Sequence, residues 1–378
     1  VEGVFVGGEP VALVANRAHH ADVGGSRPGS MGDATEIYQE GLRIPPVKLV
    51  REGRLDPDVE ALLLANSRTP DERRGDLAAQ LASLRVGRTR LVTLCEREGA
   101  SILGDAMAAL QDHTERVLRA ALTAITDGCY RFADQLDDGS PLRVEVTVSG
   151  DAITVDFRGT APQQVGPLNA PRAVTVSATI YTLACLLPRQ VSVNGGCFRP
   201  VTIVTEPGSL VDAQPPAAVA GGNVECSQRI VDVVLGALAQ ALPERIPAAS
   251  CGTMNNLLIG GHRADGTSFT YYETIGGGLG ARPTAEGLSG VQAHMTNTLN
   301  TPIEALEFAY PLRVERYELR TGSGGAGRFR GGDGLRRDVR ALVPAEATIL
   351  SERREAAPYG LQGGEPGATG ENVLCGAA

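Results

Sequence analysis

The sequence predicts an α+β, multi-domain fold: an N-terminal strand hairpin, a helical region, then antiparallel sheet and glycine-rich loops. Three observations lead to this class. The chain has 378 residues, more than one ordinary core usually contains. Apolar residues recur at helical spacing up to about residue 126 and alternate at period two after residue 141. The 47 glycines and 23 prolines cluster in the second half and indicate many loops there.

The first two predicted units cover residues 1–56 and 57–130. In the first, apolar runs at 4–6 and 11–15 flank a Gly-Gly-Glu-Pro turn, which favours a strand hairpin, and a short helical turn follows at 34–40. In the second, leucines recur at helical spacing and predict at least two helices.

The remaining predicted units cover residues 131–250 and 251–378. Alternating apolar residues at 142–148 and 153–157 predict an antiparallel hairpin, and helices are predicted at about 171–187 and 227–242. Beyond residue 250 the pattern indicates short strands and glycine-rich loops. The segment from Gly322 matches G-x-G-x-x-G, but the glycine-rich residues after it cannot form a helix. We therefore predict a tight loop at 322–334 with several positive φ angles.

Charge and motifs exclude several kinds of partner. The net charge is −9, and Lys48 is the only lysine. Without a basic cluster, nucleic acid is not an expected ligand. A phosphate-binding P-loop requires a lysine after its glycines, so this chain is not expected to bind ATP through that motif. The patterns of α/β-hydrolases and zincin proteases are also absent.

Cysteine usage and hydropathy bear on location. The seven cysteines are odd in number and widely spaced, which favours reduced thiols in the cytoplasm. Cys197 is a candidate nucleophile, although a small buried residue is the alternative. No stretch approaches the roughly 18–20 apolar residues of a membrane span, so no membrane role is expected. The chain begins at Val1 without a methionine and is expected to be truncated at both ends.

The segment Ala18–Gly25 contains the most informative cluster of polar residues. It follows the apolar run 11–15, so on an extended strand His20 and Asp22 would share one face and His19 the other. An imidazole and a carboxylate on one face suit part of a divalent metal site. The alternative is a buried pair, hydrogen-bonded to each other. A catalytic Zn²⁺ takes about three protein ligands, so at least one more must come from elsewhere.

A second cluster lies in the glycine-rich half. Glu273 precedes Gly276 and Gly277, whose backbone amides suit an anion or oxyanion. His294 and Asn297 follow about twenty residues later. We predict Glu273 and His294 as catalytic acid–base groups and the other three as substrate-binding residues. The alternatives are that Glu273 caps a loop and that His294 is a core histidine.

Several long motifs, in order along the chain, resemble the hydantoinase B family. They are Asn16–Gly25, Glu36–Pro46, Asn66–Asp76, Gly221–Arg229, Tyr271–Gly278, His294–Thr298 and Ser323–Gly334. The family includes B subunits of ATP-dependent hydantoinases, the C-terminal half of 5-oxoprolinases, and subunits of acetone and acetophenone carboxylases. The resemblance covers essentially the whole chain.

The resemblance implies a division of labour between two subunits. A partner A-type subunit with an ATPase fold binds ATP and phosphorylates the substrate, and the B subunit receives the activated species in a hetero-oligomer. It also implies a Zn²⁺ or Mn²⁺ site in which His20 is a ligand and Asp22 a ligand or its orienting partner. The family's His-x-x-Asp segment is absent here, since the chain begins downstream of it.

Three functions follow as hypotheses. The first is the B subunit of an ATP-dependent cyclic-amide hydrolase of the N-methylhydantoinase or 5-oxoprolinase type. The alternatives are a subunit of an ATP-dependent acetone- or acetophenone-type carboxylase, and a non-catalytic truncated homologue that acts as a binding partner. The segments Ser289–Asn300 and Pro302–Glu307 resemble hydantoinase-type members more than carboxylases, which ranks hydrolysis first.

Overall fold

A computed structural model describes residues 1–376 and confirms the α+β class. The helices are α1 (Pro57–Ala65), α2 (Pro70–Glu98), α3 (Ala100–Thr123), α4 (Arg172–Ala184), α5 (Ser227–Ala241) and α6 (Ile303–Ala309). The strands are β1 (Glu2–Val6), β2 (Glu9–Val14), β3 (Val50–Arg51), β4 (Arg54–Leu55), β5 (Gly128–Gln135), β6 (Pro141–Ser149), β7 (Ala152–Asp156), β8 (Val201–Val204), β9 (Asn256–His262), β10 (Ser268–Thr274), β11 (Leu312–Arg320), β12 (Gly334–Ala341) and β13 (Ala345–Leu350). Among these residues, none of the helices combines the length and apolar character needed to cross a bilayer.

The N-terminal part matches the predicted hairpin and helices. Strands β1 and β2 pair antiparallel. Asp56 caps α1 by accepting hydrogen bonds from the backbone N–H groups of Asp58 and Val59 at 3.1 and 3.2 Å. Gly99, with φ of 95°, joins α2 to α3 in a backbone conformation that favours glycine. Local capping and turn chemistry therefore account for these boundaries.

The central sheet has strand order β5-β6-β7-β8. Its first three strands are antiparallel, and β8 joins β7 in parallel after a connection that contains α4. Along β6, the predicted alternation buries Leu142, Val144, Val146 and Val148 to 3 % exposure or less. Helix α5 packs on this sheet against β5 and β6. The period-two pattern thus gives the sheet an apolar face, and α5 packs on that face.

The largest core extends across the predicted boundary at residue 130. Leu118 and Leu122 from the end of α3 belong to the same buried cluster as β6 and α5. The proposed domain limits stay predictions, and residues 377–378, the end of the last unit, lie outside the described chain. All seven cysteines are free thiols. Cys197 is 2 % exposed within the core, which is the environment of a packing residue.

The C-terminal part contains the sheet β10-β9-β13 and the hairpin β11–β12. The prediction of several positive φ angles at 322–334 is wrong, because only Gly322 has one there. Close backbone approach explains the other glycines better. A Cβ on Gly325 would lie 2.3 Å from the carbonyl oxygen of Glu365, and one on Gly332 would lie 2.0 Å from that of Leu288. These glycines let neighbouring loops touch.

Candidate functional site

The His-His-x-Asp segment is not a strand. Strand β2 ends at Val14, and residues 15–20 have no regular structure, so strand alternation does not fix their side-chain directions. His19 stacks on the Tyr272 ring from β10, with ring centroids 4.9 Å apart and planes 22° apart. His19 and His20 therefore have different environments, as predicted, but the cause is their tertiary contacts and not the alternation of side chains along a strand.

His20 faces helix α2. The amide nitrogen of Gln80 donates to His20 Nε2 at 2.7 Å. Burial lowers the pKa of His20, and the nearby Arg73 guanidinium lowers it further, whereas Asp76 acts in the opposite direction. The imidazole therefore favours its neutral form, which is the form that metals bind. Its Nε2 lone pair is nonetheless occupied by Gln80.

Asp22 is fully buried and holds a loop together. Arg68 Nη1 lies 3.2 Å from its Oδ2, and the Gly24 backbone N–H donates to its Oδ1 at 2.6 Å. Arg68 also donates to the Gly25 carbonyl at 2.9 Å. The carboxylate is thus neutralised by a guanidinium, and its partners differ from the partner of His20.

These contacts limit what the described residues offer to a divalent metal. His20 supplies one imidazole whose Nε2 accepts from an amide, and Asp22 supplies a carboxylate paired with an arginine. Within residues 1–376, no three His, Cys, Asp or Glu side chains come together as a metal site. The described donor set therefore does not by itself fit a catalytic metal, and the assignments of His20 and Asp22 as ligands stay predictions.

Glu273, predicted as catalytic, lies on β10 and is 5 % exposed. Tyr271 Oη donates to its Oε2 at 2.5 Å, and the Thr301 backbone N–H donates to its Oε1 at 2.8 Å. Arg337 Nη2 lies 2.9 Å from Oε2. Both carboxylate oxygens therefore have partners, which is the arrangement expected of a structural carboxylate, and the catalytic role stays a prediction.

The predicted substrate-binding residues have separate environments. The Gly277 N–H donates to the Val291 carbonyl at 2.9 Å, so this amide is engaged within the fold. A Cβ on Gly277 would lie 2.7 Å from Cys251 Sγ, and one on Gly276 would lie 3.1 Å from the Val291 carbonyl carbon. Asn297 is exposed. The two glycines permit close packing, while Asn297 is free to meet a ligand at the surface.

His294 lies against a buried carboxylate. Its Nε2 is 3.6 Å from Asp232 Oδ1, and its Nδ1 is 3.5 Å from Tyr181 Oη. The side chain is 10 % exposed. Burial acts to raise the pKa of Asp232, but His294 and the Arg353 guanidinium outweigh it and hold that pKa below the ordinary value. Asp232 is therefore an anion at neutral pH, placed beside an imidazole.

The backbone around Asp232 adopts left-handed conformations at three positions. His294 has φ of 49°, Arg353 has φ of 65°, and Gly252 has φ of 61°. For a residue with a Cβ this region costs about 1–3 kcal/mol. Strained residues of this kind persist where surrounding contacts determine them, and they are frequent at functional sites. Here both residues that carry a Cβ, His294 and Arg353, direct their side chains to the Asp232 carboxylate.

Sequence reasoning missed the group of buried polar side chains that holds these residues. The turn before α5 and the first half of α5 contain five polar side chains with 0 % exposure, which we call the α5 polar network: Glu225, Ser227, Gln228, Arg229 and Asp232. Arg229 lies 3.1 Å from Glu352 and 3.3 Å from Asp134. Its charge is thereby matched by residues from β5 and from the chain after β13.

Glu225 lies in a π-helical turn, Gly222–Cys226, that precedes α5. Its Oε1 accepts from Asn256 Nδ2 at 2.8 Å and from the Met254 N–H at 3.3 Å, while Oε2 has no hydrogen-bond partner among the described residues. Burial raises the pKa of Glu225 to about 8. Turns of this type are enriched at functional sites.

The α5 polar network reaches both predicted clusters. Asn256, bound to Glu225, accepts a hydrogen bond from Tyr272, on which His19 stacks. Gln228 donates to the Ala293 carbonyl at 2.9 Å and accepts from the Met295 N–H at 3.3 Å. These two hydrogen bonds hold the backbone on both sides of His294. The network therefore connects His19, through Tyr272, and His294 to residues at the start of α5.

A signal for this network was present in the sequence. Gln228, Arg229 and Asp232 lie in the first half of a helix that is mostly apolar, with Ile230, Val231, Val233 and Val234 between and after them. Such a helix is buried on all sides, so its charges must be paired inside the protein. The partners after β13 are more than 100 residues away, and no local pattern identifies them.

Comparison with known proteins places the chain in a family. A sequence model described as Hydantoinase B/oxoprolinase matches residues 1–377. The chain is 40 % identical to 5-oxoprolinase 1 of Arabidopsis thaliana, covering 98 % of this chain and 31 % of that protein. It is 33 % identical to a putative D-/L-hydantoinase B subunit of a Pseudomonas species, covering 97 % and 65 % respectively. The chain thus spans less than two thirds of the length of these two relatives.

Solved structures share the fold. The ATP-dependent caprolactamase of Pseudomonas jessenii superimposes with a TM-score of 0.78 and 32 % identity, covering 86 % of this chain and 58 % of that one. Acetone carboxylase gives a TM-score of 0.87 over 97 % of this chain and 52 % of its own, but the 20 % identity shows likeness of fold alone. Since the family model matches nearly every residue, this chain belongs to the hydantoinase B/oxoprolinase family.

Proposed function

We propose that this chain is the B-type subunit of an ATP-dependent cyclic-amide hydrolase. The observation that carries the proposal is the whole-length family match to relatives named as 5-oxoprolinases and a hydantoinase B subunit. The caprolactamase with the same fold supports it. Oxoproline, hydantoin and caprolactam are all cyclic amides, so a ring C–N bond is the expected point of cleavage.

The proposed complex divides the chemistry between two subunits. A partner A-type ATPase binds ATP and phosphorylates the amide oxygen, and this chain then admits water to the activated carbon. The lack of a P-loop lysine supports ATP binding by the partner. We propose a cytoplasmic hetero-oligomer, in keeping with the seven free thiols.

His294 is the proposed acid–base group of this chain. With Nε2 directed at Asp232, Nδ1 is the nitrogen that exchanges a proton with the reactants, which requires that water take the place of the Tyr181 hydroxyl 3.5 Å from Nδ1. Water adds to the activated carbon and gives a proton to the imidazole. The imidazolium then returns that proton to the ring nitrogen, and the C–N bond breaks as the added hydroxyl gives its own proton to the leaving amine. The product is an acyl phosphate, which a second water hydrolyses to the carboxylate and inorganic phosphate. Well-placed groups of this kind contribute about 10²–10⁴-fold in rate.

A divalent metal bound through His20 remains part of the proposal, and it would polarise an oxygen of the substrate. Metal binding requires that Gln80 leave His20 Nε2 and that further ligands join it. No step above passes through the metal. We retain Asn297, which is exposed, as the residue most available to a substrate carbonyl.

The test is reconstitution with the partner subunit. The purified chain alone is expected to hydrolyse no ATP, and the complex should open hydantoin, 5-oxoproline or caprolactam rings only with ATP. His294→Gln should lower kcat by about 10²-fold or more. His113→Gln, at an exposed histidine on α3, is the matched control and should retain full activity.

Other results would point elsewhere. ATP-dependent consumption of bicarbonate with acetone, and no ring opening, would replace the hydrolase by a carboxylase. Binding to the partner without turnover on any of these substrates would favour a non-catalytic homologue. Robust ATPase activity from the isolated chain would refute the division of labour.

A further inference from the structure

We propose that Asp232 is a positioning residue that holds the His294 imidazole in one tautomer, with the proton on Nε2 and the lone pair on Nδ1. The inference rests on the proposed function, because it gives an orienting partner to the histidine that moves the proton there. Its basis is the set of contacts that Asp232, His294, Arg353 and Tyr181 make with one another.

The two oxygens of Asp232 have different partners. Arg353 Nη2 donates to Oδ2 at 2.8 Å. Oδ1 faces His294 Nε2 and also receives the Ser250 backbone N–H at 3.3 Å. An ionised carboxylate only accepts hydrogen bonds, so the imidazole nitrogen directed at it must be the one that carries the proton.

The opposite edge of the imidazole selects the same tautomer. Tyr181 Oη lies 3.5 Å from Nδ1. Burial raises the pKa of Tyr181, and contact with Cys185 raises it further, so the phenol stays protonated and can donate. A donor at Nδ1 and an acceptor at Nε2 together favour one tautomer over the other.

The local packing fixes this arrangement. A Cβ on Gly252 would lie 2.9 Å from Asp232 Oδ2 and 2.5 Å from Arg353 Nε, so a glycine is needed for the carboxylate and guanidinium to meet. His294 Nε2 has no other partner within residues 1–376. At 3.6 Å the contact is longer than a hydrogen bond. Catalytic hydrogen bonds are often long without substrate and shorten when it binds.

Tautomers are distinguishable by ¹⁵N NMR, so the first test needs no activity. The chain has five histidines, and His294→Gln identifies the relevant signal. The wild-type chain should show the Nε2–H tautomer at His294. In Asp232→Asn the amide oxygen stays with Arg353 and the NH₂ group faces the imidazole, so the tautomer should change to Nδ1–H. An Nδ1–H tautomer in the wild type, or no change in the variant, would overturn the proposal.

The matched control is Asp212→Asn. Asp212 is a buried carboxylate held by Thr205 Oγ1 at 2.6 Å and by Gln214, with no contact to His294. This variant should leave the His294 signal unchanged. If Asp232→Asn does not fold, Tyr181→Phe removes the donor at Nδ1 while leaving Arg353 in place. The Nε2–H tautomer should persist, because Asp232 is still present to hold it, and a change to the Nδ1–H form would assign the tautomer to Tyr181 and overturn the proposal.

Kinetics of the reconstituted complex provide the second test. Asp232→Asn should lower kcat by about 10²-fold while KM changes by less than about 3-fold, since acid–base chemistry is lost and binding is not. The double variant with His294→Gln should be no slower than His294→Gln alone. A tautomer change with wild-type kcat would overturn the positioning role. Absence of turnover in the wild-type complex, with the Nε2–H tautomer present, would refute the proposed function only.

Discussion

The segment at residues 16–25 and the helix α5 carry the same kinds of polar side chain, but the fold uses them differently. In the N-terminal segment each side chain has a partner from a separate element: His19 meets Tyr272, His20 meets Gln80, and Asp22 meets Arg68. In the first half of α5 the polar side chains are fully buried, and Arg229 and Asp232 are joined to each other through Asp134 and Arg353. Adjacency in sequence therefore did not produce a cluster in space, whereas sparse charges on an apolar helix did.

The largest expected effect tests whether the α5 polar network depends on mutual neutralisation. Arg229→Met should lower the free energy of unfolding by about 3–5 kcal/mol, because buried Glu352 would lose its arginine partner and Asp134 would keep only Arg353. Guanidinium denaturation measures this loss. Arg131→Met is the control, because Arg131 pairs with Glu145 at the surface, and its midpoint should stay near that of the wild type. Equal denaturation midpoints for the two variants would contradict the expected difference between the buried ion pairs of Arg229 and the exposed ion pair of Arg131.

A second test concerns the close backbone approach in the glycine-rich loops of the C-terminal part. Gly332→Ala should cost about 1–3 kcal/mol of stability, since its Cβ would press on the Leu288 carbonyl oxygen and force two backbones apart. Gly334→Ala is the matched control, with Ser323 Oγ at 3.7 Å from its Cβ. Matching melting temperatures for these two variants would remove the close-approach explanation.

A third test uses the dependence of stability on pH to examine the burial of the Glu225 carboxyl group in the α5 polar network. The folded state favours neutral Glu225, with a pKa of about 8, whereas the unfolded chain ionises near 4.5. The stability from this group is thus complete below about pH 4.5 and is lost as the pH rises toward 8. The slope in that window is roughly 1 kcal/mol per pH unit.

The variant Glu225→Gln cannot bind or release a proton at this position, so the dependence of its unfolding free energy on pH should be smaller by roughly 1 kcal/mol per pH unit. Glu352, with a pKa raised to about 7 by burial, leaves a residual slope of the same sign. Urea denaturation between pH 5 and pH 8 provides the measurement. An identical slope in wild type and variant would mean that Glu225 is already ionised in the folded protein.

The smallest expected effect on stability lies in the N-terminal segment. His19→Ala should cost about 0.5–1.5 kcal/mol through loss of the stack on Tyr272, and bound metal should remain. His20→Ala in the reconstituted complex should abolish bound zinc or manganese together with activity. Metal analysis of the purified variants distinguishes the two histidines. Full metal occupancy in His20→Ala would end its assignment as a ligand.

Local patterns predicted much of the fold. The hairpin β1–β2, a helical region between residues 57 and 123, the hairpin β6–β7, and α5 all follow from apolar periodicity and turn residues, although the division of that region into three helices was not predicted. The parallel strand β8 was missed, because its partner β7 is more than forty residues earlier. Non-local pairing of this kind leaves no local period to detect.

The candidate site was predictable only in part. His294 was identified from the density of polar residues around it, but its partner Asp232 lies about sixty residues earlier on a helix that looks apolar. The strand argument for His20 and Asp22 required the strand to continue past Val14, and it does not. Residues joined only by tertiary contacts cannot be paired from one sequence.

The position of Glu352 and Arg353, about 120 residues after their partners on α5, has a consequence for synthesis. A growing polypeptide that stops before Ser351 contains α5 with Arg229 and Asp232 but lacks these two partners. Domains fold as the ribosome releases them, and contacts distant in sequence form slowly. Arg229 and Asp232 therefore gain these two partners only after strands β9 to β13 have been synthesised, so the late segment completes the charge pairing of a helix made well before it.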